Sequence, residues 1–188
     1  FKIVSVALLM AAFTQTSKAQ FKFSAGLELG FALESNYGLM YGASLGGEMP
    51  IGDGNMGITA QAGYILAPID LGNTFENISS SFIPMQLGYK YYFDSNESGP
   101  YVHGQLGFHL YKLSYEYEYE TFDFDPVTFQ FVTKTETRSF SDSSTNLSYA
   151  VGGGYLINEN IDLSLRYNIV AASGGSFNYL GVRAAYNF

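Results

Sequence analysis

Residues 21–33, with the sequence FKFSAGLELGFAL, alternate between large apolar side chains and small or charged ones. Successive side chains of a β-strand point to opposite faces, so this stretch predicts a strand with one apolar and one small or polar face. Lys22 and Glu28 belong to the polar face. The apolar face carries Phe21, Phe23, Ala25, Leu27, Leu29, Phe31 and Leu33.

The same alternation recurs along the rest of the chain, giving about eight segments close to the roughly 9–11 residues that a tilted membrane strand needs. Apolar side chains facing lipid and small or polar ones facing inward are typical of a membrane barrel, whereas a soluble barrel is apolar inside. An open strand edge is not tolerated in hydrocarbon, so the sheet must close. We therefore predict an all-β fold, an eight-stranded antiparallel up-and-down transmembrane β-barrel. The later segments are 39–49, 56–66, 83–93, 102–110, 147–157, 161–169 and 180–188.

Composition agrees with alternating strands and limits the function. The 188 residues include 21 Gly, 16 Tyr and 16 Phe but no Cys, which excludes disulfides and thiolate metal sites. Only 14% of residues are charged, yet mean hydropathy is +0.04, so apolar residues must be interleaved with small and polar ones. The formal charge of −8 argues against nucleic-acid binding.

The N-terminal stretch predicts a cleavable export signal. An apolar run from Ile3 to Phe13 follows Lys2, and it is shorter than the roughly 20 residues of a spanning helix. Ser17 and Ala19 put small residues at the −3 and −1 positions of a cleavage site after Ala19. We expect residues 1–19 to be a signal peptide and residues 20–188 to be the barrel domain.

The predicted connections alternate between short and long. The short ones, 50–55, 94–100 and 158–160, are expected to face the periplasm, and the longer ones, 34–38, 67–81, 113–146 and 172–176, to face outward. Tyrosines near strand ends predict aromatic girdles at the membrane boundaries. They are Tyr37, Tyr41, Tyr64, Tyr91, Tyr92, Tyr101, Tyr111 and Tyr186.

Three features carry a resemblance to a known family: the leader ending at residues 17–20, the opening strand 21–33, and the final Ala-Ala-Tyr-Asn-Phe. Together they resemble the PorT-like and OmpX-like small outer-membrane β-barrels, over nearly the whole chain. The resemblance implies the outer membrane of a Gram-negative cell, with outer-membrane lipid as a partner. It also implies that Tyr186 and Phe188 form the C-terminal signal for the barrel-assembly machinery. Because such barrels serve many purposes, it implies little about function.

The inward faces carry charges of both signs, and an unpaired buried charge costs several kcal/mol. We therefore predict an interior charge network of Glu28, Glu48, Lys90, Arg166 and Arg183. Strands one and eight are neighbours in a closed barrel, which makes Glu28 and Arg183 the best candidate pair. A paired interior favours a structural barrel over an open channel. Lys22, His103, His109 and Asp162 also lie on inward faces.

His103 and His109 are the two histidines, six residues apart on one predicted strand. Their separation along the strand is about 20 Å, too far to share a metal ion. Neither has Ser or Asp at the spacing expected of a catalytic group. We expect both to form hydrogen bonds inside the barrel, with no catalytic residue, metal or cofactor.

The long connection 113–146 predicts a projecting hairpin. Tyr115, Tyr117 and Tyr119 alternate with glutamates, and Phe129 and Phe131 belong to a second alternating run. A turn centred on residues 124–126 would place all five aromatic residues on one face, suited to binding by stacking or by strand addition. An unstructured acidic loop is the alternative.

These observations favour a non-enzymatic structural or interaction barrel. It would present the hairpin outward or serve as an accessory subunit of a larger envelope complex. The alternative function is a passive pore for small or hydrophobic solutes.

Overall fold

A computed structural model describes residues 21–34, 37–52, 55–69, 78–94, 98–125, 130–172 and 174–188. For residues 78–79, 116–120, 123–125, 130–132, 134, 136 and 137 it describes the backbone alone. The predicted signal peptide, residues 1–19, lies outside the described residues.

Eight antiparallel strands close into one barrel in chain order, with β8 hydrogen-bonded to β1. The predicted fold class is therefore confirmed. No helix with the length and hydropathy of a membrane span occurs among the described residues. The strands are β1 (Lys22–Ala32), β2 (Leu39–Ile51), β3 (Met56–Leu66), β4 (Ile78–Tyr92), β5 (Gly99–Asp125), β6 (Gln130–Ile157), β7 (Ile161–Ala172) and β8 (Gly175–Asn187).

The two faces of the barrel wall differ in chemistry as the alternation predicts. Leu27 on β1 is 70% exposed and Leu163 on β7 is 44% exposed, whereas their neighbours Glu28 and Asp162 are buried. Apolar groups thus cover the outside and charged groups lie inside. This is the inverse of a soluble barrel, and it fits a hydrocarbon surrounding.

The barrel has two unlike ends. Short connections, 52–55, 93–98 and 158–160, join strands at one end, here called the turn end. In the last of these connections Asn158 and Glu159 have positive φ values of 48° and 64°, as the two central residues of a type I′ turn require, and the Asn160 N–H donates to the Ile157 carbonyl at 3.2 Å. The opposite end, from which β5 and β6 project, is called the hairpin end.

The seam between β1 and β8 is paired down to the last residue. Ser24 is the Cα partner of Asn187, and the Phe188 N–H donates to the Phe23 carbonyl at 2.8 Å. The Asn187 side chain donates to the Glu159 carbonyl at 3.1 Å, which ties the seam to the β6–β7 turn.

Two glycines on β5 allow a test of packing, because Gly107 shares the inward face of His109 whereas Gly104 is exposed on the outward face. A Cβ at Gly107 would collide with the Met85 carbonyl oxygen, whereas a Cβ at Gly104 meets nothing within 4 Å. We expect Gly107→Ala to destabilise the barrel by about 1–3 kcal/mol, because the backbone must shift. Gly104→Ala should be neutral or stabilising by up to about 1 kcal/mol. Urea unfolding, followed by the gel mobility of the folded barrel, measures both. Equal midpoints for the two variants would contradict this account.

Candidate functional site

A buried charge network crosses the middle of the barrel. Arg166 on β7 donates from Nη2 to a Glu28 carboxylate oxygen at 2.6 Å. The other Glu28 oxygen accepts from Gln61 at 2.7 Å and lies 3.4 Å from Arg183 Nε. Arg166 also donates from Nη1 to Gln61 at 2.9 Å and to Gln105 at 3.2 Å. Two cations and one carboxylate therefore join β1, β3, β5, β7 and β8 across the lumen.

Arg183 also bonds along the barrel wall. Glu28 and Arg183 are direct Cα partners across the β1–β8 seam. The Arg183 guanidinium donates to Ser44 and to Ser24, each at 2.9 Å. This one side chain therefore holds β8, β1 and β2 together beside the seam. The nearest cation to Glu28 is nevertheless Arg166, which lies on β7, one strand beyond β8.

A second network fills the turn end. Lys90 Nζ lies 3.0 Å from both Glu48 and Asp162. Tyr92 donates to Glu48 at 3.0 Å, and Tyr101 donates to Asp162. The ammonium group is also 4.2 Å from the centroid of the Tyr101 ring, a cation–π distance. Two carboxylates, one ammonium and two phenols thus close this end.

The placement of Tyr92 and Tyr101 corrects a prediction. Both were expected in the outer aromatic girdles, but both are buried inside the barrel. The alternation already contained this signal, because Tyr92 shares the inward parity of Lys90 on β4 and Tyr101 that of His103 on β5. Proximity to a strand end outweighed parity in the prediction.

Between the two networks lies a polar cavity of about 40 Å³. Its lining includes Lys22, Thr59, His103 and Ser164. A water molecule needs about 10–15 Å³ measured in this way, so the cavity suits a few waters rather than a sugar or amino acid.

Aromatic side chains fill the hairpin end. Phe82 stacks on Phe177, with ring centroids 5.2 Å apart and planes 11° apart. Tyr111 packs against Phe82 at 5.0 Å and Tyr37 against Phe177 at 4.8 Å. Burial and the neighbouring Tyr111 raise the pKa of Tyr37 to about 12, so its hydroxyl is neutral at physiological pH. Below these rings lie the buried side chains of Met40, Ile65, Ala67, Val170 and Tyr179.

The two histidines lie at different levels of the interior. His109 is hydrogen-bonded through Nε2 to the Tyr179 hydroxyl at 2.9 Å. His103 lines the polar cavity, with its ring 5.7 Å from that of Tyr101. Among the described residues, no three histidine or carboxylate side chains come close enough to hold a metal ion.

The hairpin is ordered as a two-stranded ribbon, but its predicted register is wrong. Pairing runs without a bulge from Gly99↔Leu156 to Asp125↔Gln130. Tyr119 lies opposite Glu136 rather than Phe131. Phe131 instead pairs with Phe124, so the two predicted aromatic runs are out of register. The numbers of paired residues sum to 125 + 130 = 255, whereas the predicted turn required a sum of about 250.

Part of the predicted interaction surface can be described. Tyr115 pairs with Phe140, with ring centroids 5.1 Å apart, and Phe140 is exposed. Phe140 was not part of the predicted set. The side chains of Tyr117, Tyr119 and Phe131, and all of Phe129, lie outside the described residues. At the other end of the chain, Tyr186 and Phe188 face outward with ring centroids 5.3 Å apart.

The family model of the outer membrane protein β-barrel domain matches residues 3–188. The chain belongs to this family. The predicted family is thereby confirmed, and so is the location: this outer membrane β-barrel domain lies in the outer membrane, in contact with its lipid. No curated protein matches the chain.

Solved structures share the fold of this outer membrane β-barrel domain. Ail, the attachment invasion locus protein of Yersinia pestis, matches with a TM-score of 0.61 and 14% identity, covering 91% of this chain and 99% of that one. Ail has also been solved in complex with the heparin analogue sucrose octasulfate. The N-terminal β-barrel domain of Pseudomonas aeruginosa OprF matches at 0.55 and 13%, covering 91% and 100%. Neisserial surface protein A matches at 0.53 and 13%, covering 89% and 95%.

In outer membrane β-barrel domains the short turns face the periplasm and the longer connections face outward. By this rule we expect the hairpin end of this domain to lie on the cell surface. The aromatic layer fills the barrel at the hairpin end, and the Lys90 network fills it at the turn end.

Proposed function

We propose that this barrel is a non-enzymatic anchor that presents the β5–β6 ribbon outside the cell for interaction with another macromolecule. The observation that carries the proposal is the contrast between a filled lumen and a wall that projects far beyond it. Among the described residues, β4 pairs with β5 as far as Tyr115, and β7 pairs with β6 from Ser148 onward. Within that part of the chain, residues 116–125 and 130–147 form a ribbon that pairs with the barrel at its base alone.

Within the described part of the chain, no strand pairs with β5 beyond Tyr115 or with β6 before Ser148, so both edges of the ribbon are open there. Every described side chain from Arg138 to Thr145 is exposed. An exposed edge has unpaired backbone groups that can accept a further strand, and rings such as Phe140 can stack against a partner. These features support an interaction role better than a purely structural one.

The charge of the ribbon limits the partner. Residues 113–146 carry seven carboxylates and two cationic side chains, a net charge of 2 − 7 = −5. A sulfated sugar such as the heparin analogue bound by Ail would be repelled. We therefore expect a neutral or basic partner, whose capture weakens as salt is raised.

A deletion designed from the observed register tests the interaction role. Glu116 pairs with Ser139, so removing residues 116–139 and joining Tyr115 to Phe140 through Asn-Gly keeps the remaining pairs aligned. We expect the variant to fold, because the barrel keeps all of its β4–β5 and β6–β7 pairs. Recovery of partners from a mild-detergent pull-down should fall by about tenfold or more, since the contact surface is gone.

A matched control keeps the length of the ribbon and changes its exposed ring, Phe140→Ser. Partial loss with this control would support a role for Phe140. Unchanged recovery with the deletion variant would refute the binding role. Single-channel recording in a planar bilayer tests the rival function: a steady conductance of the unmodified barrel would favour a passive pore and refute the filled lumen.

The proposal also covers the insertion of the barrel into the membrane. We expect the outward-facing Tyr186 and Phe188 to be recognised by the barrel-assembly machinery during insertion. The proposed interaction also includes docking of this barrel, through the anchored ribbon, to a larger envelope complex. The deletion of residues 116–139 separates these two roles. It should abolish complex formation through the ribbon and leave insertion into the membrane unchanged.

A further inference from the structure

The outward face of β6 changes character at one level. Val151, Tyr149 and Leu147 are exposed on the lipid-facing side of the barrel. The next residues of the same face are Thr145, Ser143, Ser141 and Ser139, all exposed, and we call these four the hydroxyl ladder. The alternation of Ser or Thr extends further along β6 in the sequence, where every odd-numbered residue from 133 to 145 is Ser or Thr.

The neighbouring strand changes at the same level. On β5 the lipid-facing Phe108 and half-buried Leu110 are followed by the exposed Lys112. Leu110 is the Cα partner of Thr145, and Lys112 is the partner of Ser143. We infer that β5 and β6 leave the hydrocarbon core of the membrane between the Leu110–Thr145 pair and the Lys112–Ser143 pair. The hydroxyl ladder continues the lipid interface directly upward, and its four side chains are exposed. Among the described residues, β6 pairs with β7 only from Ser148 onward, so the ladder also lies beyond the closed wall of the barrel.

The length of the ladder selects the kind of headgroup. From Thr145 to Ser139 the strand rises about 20 Å, or about 15 Å along the membrane normal at a tilt of about 40°. The polar layer of a phospholipid leaflet is only about 5–8 Å deep. Two of the four hydroxyls would stand above phospholipid headgroups, whereas an oligosaccharide headgroup would reach all four.

The chemistry of the hydroxyl ladder also fits an oligosaccharide headgroup. A Ser or Thr hydroxyl donates one hydrogen bond and accepts others, so a row of them matches sugar hydroxyls in many orientations. Although the ribbon as a whole is negatively charged, the hydroxyl ladder itself carries no carboxylate. Lys112 adds a cation at the level of Ser143, so at this level a phosphorylated sugar has a local partner that the rest of the ribbon does not offer. We propose that the hydroxyl ladder binds the sugar headgroups of glycolipid in the outer leaflet, and so fixes the height and tilt of the ribbon above the membrane.

The test compares glycolipid retention by two sets of variants. One set removes the ladder: Ser139→Ala, Ser141→Ala, Ser143→Ala and Thr145→Val combined. The matched control removes hydroxyls further up the same face: Thr133→Val and Thr135→Val combined. Each protein is reconstituted in phosphatidylcholine vesicles with a minor fraction of rough lipopolysaccharide, purified in mild detergent, and weighed by native mass spectrometry.

We expect the unmodified protein and the control to retain lipopolysaccharide in preference to phosphatidylcholine. The ladder variant should retain about tenfold less, with an unchanged heat-dependent gel shift that shows an intact barrel. Equal retention by all three proteins would overturn the proposal, as would equal loss in the control. Lipopolysaccharide stripped of phosphate separates the two sources of affinity: persistent retention supports sugar recognition, and complete loss would assign binding to phosphate alone.

Discussion

Replacing Glu28 by alanine is expected to lower the free energy of unfolding by about 3–5 kcal/mol, because two arginines then lose their shared carboxylate. Arg166 is only 3% exposed and Arg183 only 6%, so neither can recover its interactions by turning to bulk water. The loss should be measured by urea unfolding in lipid vesicles and by the heat-dependent gel shift.

The order of the related variants makes this prediction sharper. Arg183→Ala should cost less than Glu28→Ala, because Glu28 keeps its 2.6 Å bond to Arg166. Glu28→Gln removes the charge but keeps a hydrogen-bonding side chain, so its effect should be intermediate. The double variant Glu28→Ala with Arg166→Met should be more stable than Glu28→Ala alone, since it removes one of the stranded charges. Identical unfolding midpoints for all of these proteins would refute the network.

Lys90→Met is expected to lower the free energy of unfolding by a similar amount, about 3–5 kcal/mol, because here two carboxylates lose their shared cation. The change leaves Glu48 and Asp162 facing each other without the ammonium group that lies 3.0 Å from each. It also removes the cation from beside the Tyr101 ring, which loosens the layer that closes the turn end. Urea unfolding measures the stability, and planar-bilayer recording measures whether brief openings appear.

Neutralising the carboxylates should restore the barrel. Adding Glu48→Gln and Asp162→Asn to Lys90→Met converts the buried charges into amides that still accept the tyrosine hydrogen bonds. Lys22→Met is the matched control, because Lys22 lines the same polar cavity as Lys90 but is only half-buried. This change should lower the free energy of unfolding by less than about 1 kcal/mol. A Lys90→Met protein as stable as the control would show that this layer contributes nothing.

Strand parity is the part of this structure that the sequence predicts best. The exposure of Leu27 beside the burial of Glu28 follows from a two-residue repeat and from an apolar exterior. Parity needs no knowledge of distant contacts, so it holds on all eight strands. The misplaced Tyr92 and Tyr101 show what happens when a weaker rule, the preference of tyrosine for membrane boundaries, is allowed to override it.

Register and lumen partners were harder to predict for a physical reason. The pairing of β5 with β6 depends on where the chain turns. The observed partners have numbers that sum to 125 + 130 = 255 instead of the predicted sum of about 250, so odd residues pair with even ones. Glu28 and Arg183 are wall neighbours that closure alone brings together. The closer contact of Glu28 with Arg166 depends on the stagger of the strands around the barrel, which no local pattern encodes.

The seam between β1 and β8 has a consequence for the order in which the protein forms. Ser24 and Asn187 pair although 187 − 24 = 163 residues separate them, whereas every other strand pairs with its neighbour in the chain. Joining distant segments costs more loop entropy than forming local hairpins, so local pairs are expected to appear first. The last event would then be the meeting of the two ends, sealed by Arg183 and by the final backbone hydrogen bond of Phe188. Until that event the chain is a curved sheet with two open edges, and the kinetics of insertion should follow the closing of this one seam.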